Sequence, residues 1–198
     1  MGIVVLISGN GSNLQALIDA VQSKKLPTTI DLVVSNRKSA YGLQRAEAAG
    51  IPTLVLTLKS FLADGKTRED YDRALAEAIW PYKPQLIVLA GWMHILSSVF
   101  LEYFPNRVIN LHPALPNEFA GINAIERAFE AYQRGEIKQS GCMVHYAIPE
   151  VDAGDVIVQE IVPFLPNDTL ESFAERMHAA EHRILVEAVS RLLAQSSS

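Results

Sequence analysis

Short apolar runs alternate with longer amphipathic segments over residues 1–111. The apolar runs predict β-strands at residues 3–7, 30–35, 53–56, 86–90 and 107–111. The amphipathic segments predict helices at residues 14–21, 42–49, 68–82 and 97–103. Because the strands are apolar throughout rather than alternating, we expect both faces of their sheet to be buried. This half of the chain therefore predicts an α/β fold, a Rossmann-like open and mostly parallel sheet with helices on both faces.

The pattern changes after residue 112, where a proline-rich loop begins. The remaining apolar and amphipathic stretches predict a helix at 124–133, additional strands at 140–148 and 156–164, and a long final helix at 170–193. No repeat, low-complexity tract or change of composition marks a domain boundary in the sequence. We therefore expect one domain over residues 1–198, made of an N-terminal half (1–111) and a C-terminal half (112–198).

The composition limits the partners that such a domain can have. Its 198 residues include 17 Lys and Arg against 22 Asp and Glu, which gives a net charge of −5, and 49% of them are hydrophobic. A chain of this kind can bury a substantial core, but it lacks the basic surface that nucleic-acid binding needs. We expect small-molecule substrates and no nucleic acid, with the protein a monomer or homodimer.

The number of cysteines and the length of the longest apolar stretch favour a cytoplasmic location. The single cysteine, Cys142, leaves no internal disulfide and no multi-thiolate metal site, and we expect it to be a buried apolar residue. The longest apolar stretch, residues 86–93, is far shorter than the roughly 20 residues of a membrane-spanning helix. The N-terminal residues lead directly into a glycine turn without the features of a signal peptide. The sequence therefore predicts a cytoplasmic protein with no membrane partner.

A glycine-rich turn follows the first predicted strand. Residues 8–13 read Ser-Gly-Asn-Gly-Ser-Asn, so that Gly11, Ser12 and Asn13 stand at the start of the first predicted helix. Glycine allows close backbone approach, and the free N–H groups at a helix start attract anions. The turn has neither the Walker pattern nor a full G-x-G-x-x-G. It predicts a phosphate site, although a tight turn with Ser12 or Asn13 as helix cap is the simpler alternative.

A second group of polar residues ends a buried strand. Asn110 and His112 lie at the carboxyl end of the strand predicted at 107–111, where ligands bind in open α/β sheets. Because a strand has a period of two, both side chains should point the same way. An amide donor beside an imidazole suits an oxyanion or a proton in transit. The alternative is a histidine that is simply satisfied inside the core.

A third candidate is the acidic loop between the last two predicted strands. Asp152 lies two residues before Gly154 in this loop. A carboxylate there could orient an imidazole and favour its charged form. Without contact between Asp152 and His112, the loop is equally well explained as an acidic hairpin facing water.

The last predicted helix contains a pattern that resembles a zinc site. Residues 178–182 read His-Ala-Ala-Glu-His, which matches the inverted zinc-peptidase motif H-x-x-E-H. A third ligand should follow downstream, where only Glu187 offers a side chain of the right type. A chance match in an amphipathic helix is the better explanation, and we expect no metal.

Four separated motifs together resemble one known family. They are the glycine turn at 7–16, the segment Leu-Ala-Gly-Trp-Met-His-Ile-Leu at 89–96, the segment Asn-Leu-His-Pro-Ala-Leu-Pro at 110–116, and Val-His-Tyr at 144–146 followed by Val-Asp-Ala-Gly at 151–154. In this order they closely resemble the phosphoribosylglycinamide formyltransferases, and the resemblance covers essentially the whole chain. The Asn-x-His-Pro and later Asp are shared by formyltransferases generally, whereas the glycine turn indicates the ribonucleotide enzymes.

The resemblance implies a formyltransferase fold and a reaction. In that family the formyl group of 10-formyltetrahydrofolate, the cosubstrate, passes to the amine of glycinamide ribonucleotide in purine (IMP) biosynthesis. The resemblance assigns each group of residues a role. The catalytic residues would be Asn110, His112 and Asp152; the ribonucleotide contacts Gly11, Ser12, Asn13 and Glu181; and the folate contacts Arg68, Met93, His94, Ile95, Leu96, Val151 and Asp152.

Some positions depart from the family pattern, and two other functions stay open. His94 stands where arginine is common and Asn123 where histidine is frequent, so we expect altered substrate affinity rather than lost chemistry. A formyltetrahydrofolate hydrolase would use the same Asn110, His112 and Asp152, although it needs no phosphate site. A noncatalytic folate-binding module is the other alternative.

Overall fold

A computed structural model describes residues 2–195 of the chain. Within those residues, seven strands form one sheet in the order β3-β2-β1-β4-β5-β6-β7. The strands are β1 (Ile3–Ile7), β2 (Ile30–Ser35), β3 (Thr53–Val55), β4 (Leu86–Leu89), β5 (Val108–His112), β6 (Gln139–Tyr146) and β7 (Val156–Pro163). The first five are parallel, β6 pairs antiparallel with β5, and β7 pairs antiparallel with β6. The predicted mostly parallel α/β sheet is confirmed.

The helices follow the sequence prediction closely. They are α1 (Ser12–Gln22), α2 (Tyr41–Ala48), α3 (Leu58–Ala63), α4 (Arg68–Ile79), α5 (Ser98–Leu101), α6 (Ala124–Gln133) and α7 (Leu170–Gln195). The helix predicted at 68–82 ends at Ile79 and continues as a 3₁₀ turn that contains Pro81, a residue without the N–H that an α-helix requires. The short helix α3 was not predicted. No helix among residues 2–195 is long and apolar enough to cross a membrane.

The sheet separates two apolar layers. On one face Val5 and Ile7 pack with α1 and α7, and on the other face Val4 and Leu6 pack with α4 and α5. All five residues of β1 are fully buried, which explains why this strand is apolar throughout. Cys142 is fully buried in the α1/α7 layer, as expected.

The order of the strands determines where a ligand can bind. The chain passes from β1 to β2 on one side of β1, and later from β3 across to β4 on the other side. The loops that follow β1 and β4 therefore diverge, and open α/β sheets bind ligands in the crevice at such a switch point.

Candidate active site

A cleft of about 680 Å³ lies at the carboxyl ends of β1, β4 and β5. Eleven of the predicted site residues line it. They are Ser12, Asn13, Met93, His94, Ile95, Leu96, Asn110, His112, Val151, Asp152 and Glu181. Gly11 and Arg68 are not among its lining residues. The structure thus brings the predicted polar groups into one cavity, within the size range of ligand sites in proteins.

Asp152 joins the two polar residues of β5. Asn110 Nδ2 donates a hydrogen bond to Asp152 Oδ1 over 3.1 Å, and His112 Nδ1 lies 3.4 Å from Asp152 Oδ2. Both β5 side chains therefore point the same way, as the period of two predicts. The acidic loop is not a hairpin facing water, because the Asp152 side chain is only 10% exposed. The contact between Asp152 and His112 that the sequence left open is present.

His145 belongs to the same cluster, although the sequence analysis gave it no role. It lies directly opposite Asn110 in the antiparallel pairing of β5 with β6. Its Nδ1 donates to the backbone oxygen of Tyr146 over 2.9 Å, which leaves Nε2 to accept from Asn110 Nδ2 over 3.2 Å. A histidine directly after the apolar residues Cys142–Val144 was the available signal in the sequence, but its significance depends on the strand pairing.

The loop between β5 and α6 closes the cluster. Phe119 O lies 3.2 Å from His112 Nε2, and Gly121 N donates to Asp152 Oδ2 over 2.8 Å. Phe119 has φ +43°, a left-handed conformation that is unusual for an aromatic residue. Such strain costs on the order of 1–3 kcal/mol and persists where the surrounding contacts impose it. The loop therefore holds its backbone groups in fixed positions against His112 and Asp152.

The surroundings of His112 and Asp152 lower the pKa of both groups. Burial lowers the pKa of His112 below its ordinary value, and the nearby charge of Asp152 only partly opposes this. Burial alone would raise the pKa of Asp152, but the neighbouring His145 ring, the hydrogen bond from Gly121 N and the nearby His112 more than offset it and lower the pKa. At neutral pH the resting pair is therefore a neutral imidazole beside a carboxylate.

The imidazole of His112 is placed to take up a proton. Its two ring nitrogens face two acceptors, Asp152 Oδ2 and Phe119 O. A neutral ring has one N–H and can donate to only one of them, whereas the imidazolium can donate to both. The site thus keeps His112 neutral through burial, yet it offers hydrogen bonds that the protonated ring alone can complete.

The glycine turn exposes a helix start toward the same cleft. Gly11 has φ +75°, and a Cβ there would lie 2.6 Å from the Cα of Gly42. No side chain caps α1, and its first turn holds no acidic residue. Because Ser12 and Asn13 line the cleft, the N–H groups of this first turn are available to an anion. Gly11 shapes the turn rather than lining the cavity.

Arg37, which the sequence analysis did not single out, lines the cleft together with Ser12 and Asn13. It lies two residues beyond the end of β2. Among the described residues that line the cleft, Arg37 is the one arginine or lysine. A chain with a net charge of −5 therefore places a cation in the same cleft as the uncapped start of α1.

The H-x-x-E-H segment lies on α7, and part of it faces the cleft. His178 and Glu181 line the cavity, and His178 Nδ1 lies 2.6 Å from Glu181 Oε2. This hydrogen bond raises the pKa of His178. His182 is not among the lining residues, and no cluster of three or more potential metal ligands occurs within residues 2–195. Glu181 is thus paired with a histidine at the wall of the cleft.

Known proteins are similar to this chain in sequence and in fold. The sequence model of a family described as formyl transferase matches residues 1–189. This chain belongs to the formyltransferase family. A phosphoribosylglycinamide formyltransferase of Dictyostelium discoideum is 50% identical over 96% of this chain and 97% of its own length. The corresponding enzyme of Schizosaccharomyces pombe is also 50% identical, over 96% of both chains.

A solved structure agrees with this family membership. Glycinamide ribonucleotide transformylase 1 from Symbiobacterium toebii superposes with a TM-score of 0.88 at 39% identity, covering 96% of this chain and 86% of that one. The resemblance noted from the four sequence motifs, and the formyltransferase fold that it implied, are both confirmed.

Proposed function

We propose that the protein transfers the formyl group of 10-formyltetrahydrofolate to the amine of glycinamide ribonucleotide, in purine (IMP) biosynthesis. The products are formylglycinamide ribonucleotide and tetrahydrofolate. The observation that carries this proposal is the contact of Asp152 with both Asn110 and His112 inside a cleft that also holds the open start of α1. Relatives that match over nearly their whole length and are named for this activity support it. We further propose that residues 1–198 act as one domain, whose N-terminal half holds the phosphate.

The cleft suits a folate cosubstrate, which supplies the formyl group when bound. Met93 and Ile95 are 58% and 59% exposed, and Val151 is 41% exposed, although all three are apolar and line the cavity. When a flat aromatic ligand covers apolar side chains that are exposed at a cleft, apolar surface is removed from water and binding is favoured. We assign the wall made by residues 93–96 and 151–152 to this cosubstrate.

The polar cluster performs the chemistry of amine addition. When the substrates bind, one Nδ2–H of Asn110 turns from His145 Nε2 to the oxygen that gains negative charge as the amine adds to the formyl carbon. An α-amino group is mostly protonated at neutral pH, so the reaction needs a group that removes a proton. His112 takes it up at Nδ1, where Asp152 Oδ2 lies 3.4 Å away and stabilises the imidazolium. As the bond between the formyl carbon and the folate nitrogen breaks, His112 returns this proton to the departing nitrogen, and the nitrogen that has gained the formyl group loses its second proton to solvent.

The ribonucleotide fits the charge distribution of the cleft. Its phosphate is negative and its amine is positive, and we place the phosphate against Ser12, Asn13 and Arg37. The glycinamide amine then extends toward Asp152 and the β5 residues. Glu181, only 4% exposed, lines the space between and suits the ribose hydroxyls as a hydrogen-bond acceptor.

One assay tests the function directly. The protein is mixed with 10-formyltetrahydrofolate, with and without glycinamide ribonucleotide, and deformylation of the folate is followed together with formation of the formylated ribonucleotide. Turnover that depends on the ribonucleotide supports the proposal. Turnover without it would instead indicate a hydrolase, and no turnover in either mixture would indicate a noncatalytic folate-binding module.

Replacing Gly11 by Ala should raise the KM for the ribonucleotide about tenfold or more and leave the KM for the folate unchanged. The new Cβ lies 2.6 Å from Gly42 Cα on a backbone with φ +75°, so the turn must shift and move its N–H groups. Gly9→Ala is the matched control, because a Cβ at Gly9 meets no atom within 4 Å. An unaltered ribonucleotide KM in Gly11→Ala would contradict phosphate binding at this turn.

Replacing Arg37 by Ala should also raise the ribonucleotide KM, by about 10–100-fold, because it removes a charge-assisted hydrogen bond to the phosphate. Steady-state kinetics at increasing salt provide a second readout. The wild-type KM should rise with ionic strength, and that of Arg37→Ala should rise much less. Lys38→Ala, which removes a neighbouring charge outside the cleft lining, is the control. Equal salt dependence in wild type and Arg37→Ala would show that Arg37 does not meet the phosphate.

A further inference from the structure

The segment between β5 and α6 has an unusual backbone. Alternate residues of it, Asn117, Phe119, Gly121 and Asn123, have φ between +43° and +86°. Glycine enters this left-handed region freely, but the other three residues adopt it at a cost in free energy. A strained segment keeps its shape where contacts outside it impose that shape. Two of its backbone atoms, Phe119 O and Gly121 N, contact the polar cluster, so their positions depend on what holds the segment.

Arg127, near the start of α6, supplies this support. Its Nη1 donates to the backbone oxygen of Ala120 over 2.8 Å and lies 3.5 Å from that of Ile122. Its central guanidinium carbon lies 5.6 Å from the centroid of the Phe119 ring. Among the residues that the structure describes, Arg127 is the one side chain outside the polar cluster that hydrogen-bonds to the backbone of residues 117–123. Arg127 is not among the residues that line the cleft.

One peptide bond connects Arg127 to Asp152. The carbonyl of Ala120 and the N–H of Gly121 belong to the same planar trans peptide group, in which they point in opposite directions. The carbonyl accepts from Arg127, and the N–H donates to Asp152 Oδ2 over 2.8 Å. A guanidinium at the oxygen also polarises the peptide, which strengthens the N–H as a donor. The orientation of this peptide is therefore fixed at both ends.

Neither the backbone nor side-chain packing fixes the orientation of this peptide in the absence of Arg127. Gly121 has φ +86°, and glycine adopts positive and negative φ about equally readily, so the peptide is free to rotate. A Cβ at position 121 would meet no atom within 4 Å, which shows open space around it. If the peptide rotates, Asp152 loses a hydrogen bond that helps to hold its carboxylate and to lower its pKa.

We propose that Arg127 is a positioning residue for formyl transfer, and that it acts through the peptide bond between residues 120 and 121 to hold Asp152 in place. This inference rests on the proposed function, in which Asp152 stabilises protonated His112. Arg127 contacts the backbone of the segment and lies outside the lining of the cleft, so its role is not ligand binding. Loss of Arg127 should therefore slow proton transfer while both substrates still bind.

Arg127→Ala should lower kcat roughly 10–100-fold, and by a larger factor than it raises the KM of either substrate. The reason is that Asp152 stabilises an imidazolium that forms only during the reaction. Arg134→Ala is the matched control, because Arg134 directly follows α6 and forms exposed ion pairs with Glu130 and Glu136, and its kcat should stay near the wild-type value. An unaltered kcat in Arg127→Ala, or an effect confined to KM, would overturn the proposal.

Hydrogen exchange of the Gly121 amide, followed by NMR, tests the same contact without substrates. The bond to Asp152 should slow exchange in wild type, and Arg127→Ala should speed it about tenfold or more, while the buried Val5 amide in β1 keeps its rate. Unaltered Gly121 exchange would overturn the proposal. Equal acceleration of both amides would also overturn it, because Arg127 would then stabilise the fold as a whole. Wild-type protein without formyl transfer would instead reject the proposed function, and the exchange rates would still report on the Arg127 contact.

Discussion

Replacing His112 by Asn is expected to lower kcat roughly 10²–10⁴-fold, the contribution typical of a positioned acid–base group. The amide can still donate a hydrogen bond, but it cannot take a proton from the amine or carry a positive charge beside Asp152. Because His112 is only 4% exposed and lies deep in the cleft, the KM values for both substrates should change little. Steady-state kinetics with each substrate varied in turn measure both quantities.

His182→Asn is the control for this substitution. His182 lies on α7 and is not among the residues that line the cleft, so its replacement should leave kcat near the wild-type value. Near-normal turnover by His112→Asn would remove His112 from the proton transfer. A large rise in both KM values with unchanged kcat would assign it to binding alone.

Local patterns predict those parts of the site that one strand or one turn creates. Asn110 and His112 share a side of β5 because strands have a period of two, and this follows from sequence alone. The phosphate turn likewise follows from a glycine between a strand and a helix. In both cases the residues that matter are neighbours in the chain, so their relative direction is fixed by backbone geometry.

Contacts between distant segments are not predictable in this way. His145 joins the cluster because β6 pairs antiparallel with β5 and places it opposite Asn110, and that register is a property of the folded sheet. Arg37 reaches the cleft because β2 lies beside β1. The family resemblance predicted that Asp152, 42 residues beyond Asn110, belongs to the site. It gave no role to His145 or Arg37. The short helix α3 was missed because its six residues include none that is buried, so the sequence carries little apolar periodicity there.

The cluster is best understood as a site in which burial and charge oppose each other. Burial disfavours the protonated imidazole, while Asp152 and Phe119 O offer it two acceptors. The neutral His112 ring can therefore accept a proton. Because burial destabilises the resulting imidazolium, that form can give the proton up again. This balance depends on the Asp152 carboxylate, which is itself held by Asn110 and Gly121.

Replacing Asp152 by Asn should lower kcat by about 10³–10⁴-fold, comparable to loss of the carboxylate that orients the histidine of hydrolytic triads. Asn tolerates the φ of +53° at this position, so the loop should keep its shape. The amide cannot accept on both sides as the carboxylate does from Asn110 and Gly121. Asp155→Asn in the same loop, whose side chain is exposed, is the matched control and should keep wild-type kcat.

The same substitution has a definite consequence for the titration of His112. The Asp152 charge raises the pKa of His112 against the effect of burial. Its removal takes away the largest effect that opposes burial, so the pKa of His112 should fall further and the neutral ring should persist to lower pH. An NMR titration of the His112 ring in wild type and Asp152→Asn measures this shift without depending on turnover. A midpoint that stays in place or moves to higher pH would mean that Asp152 does not act on His112 through its charge, and the carboxylate would then have to serve the reaction by holding Asn110.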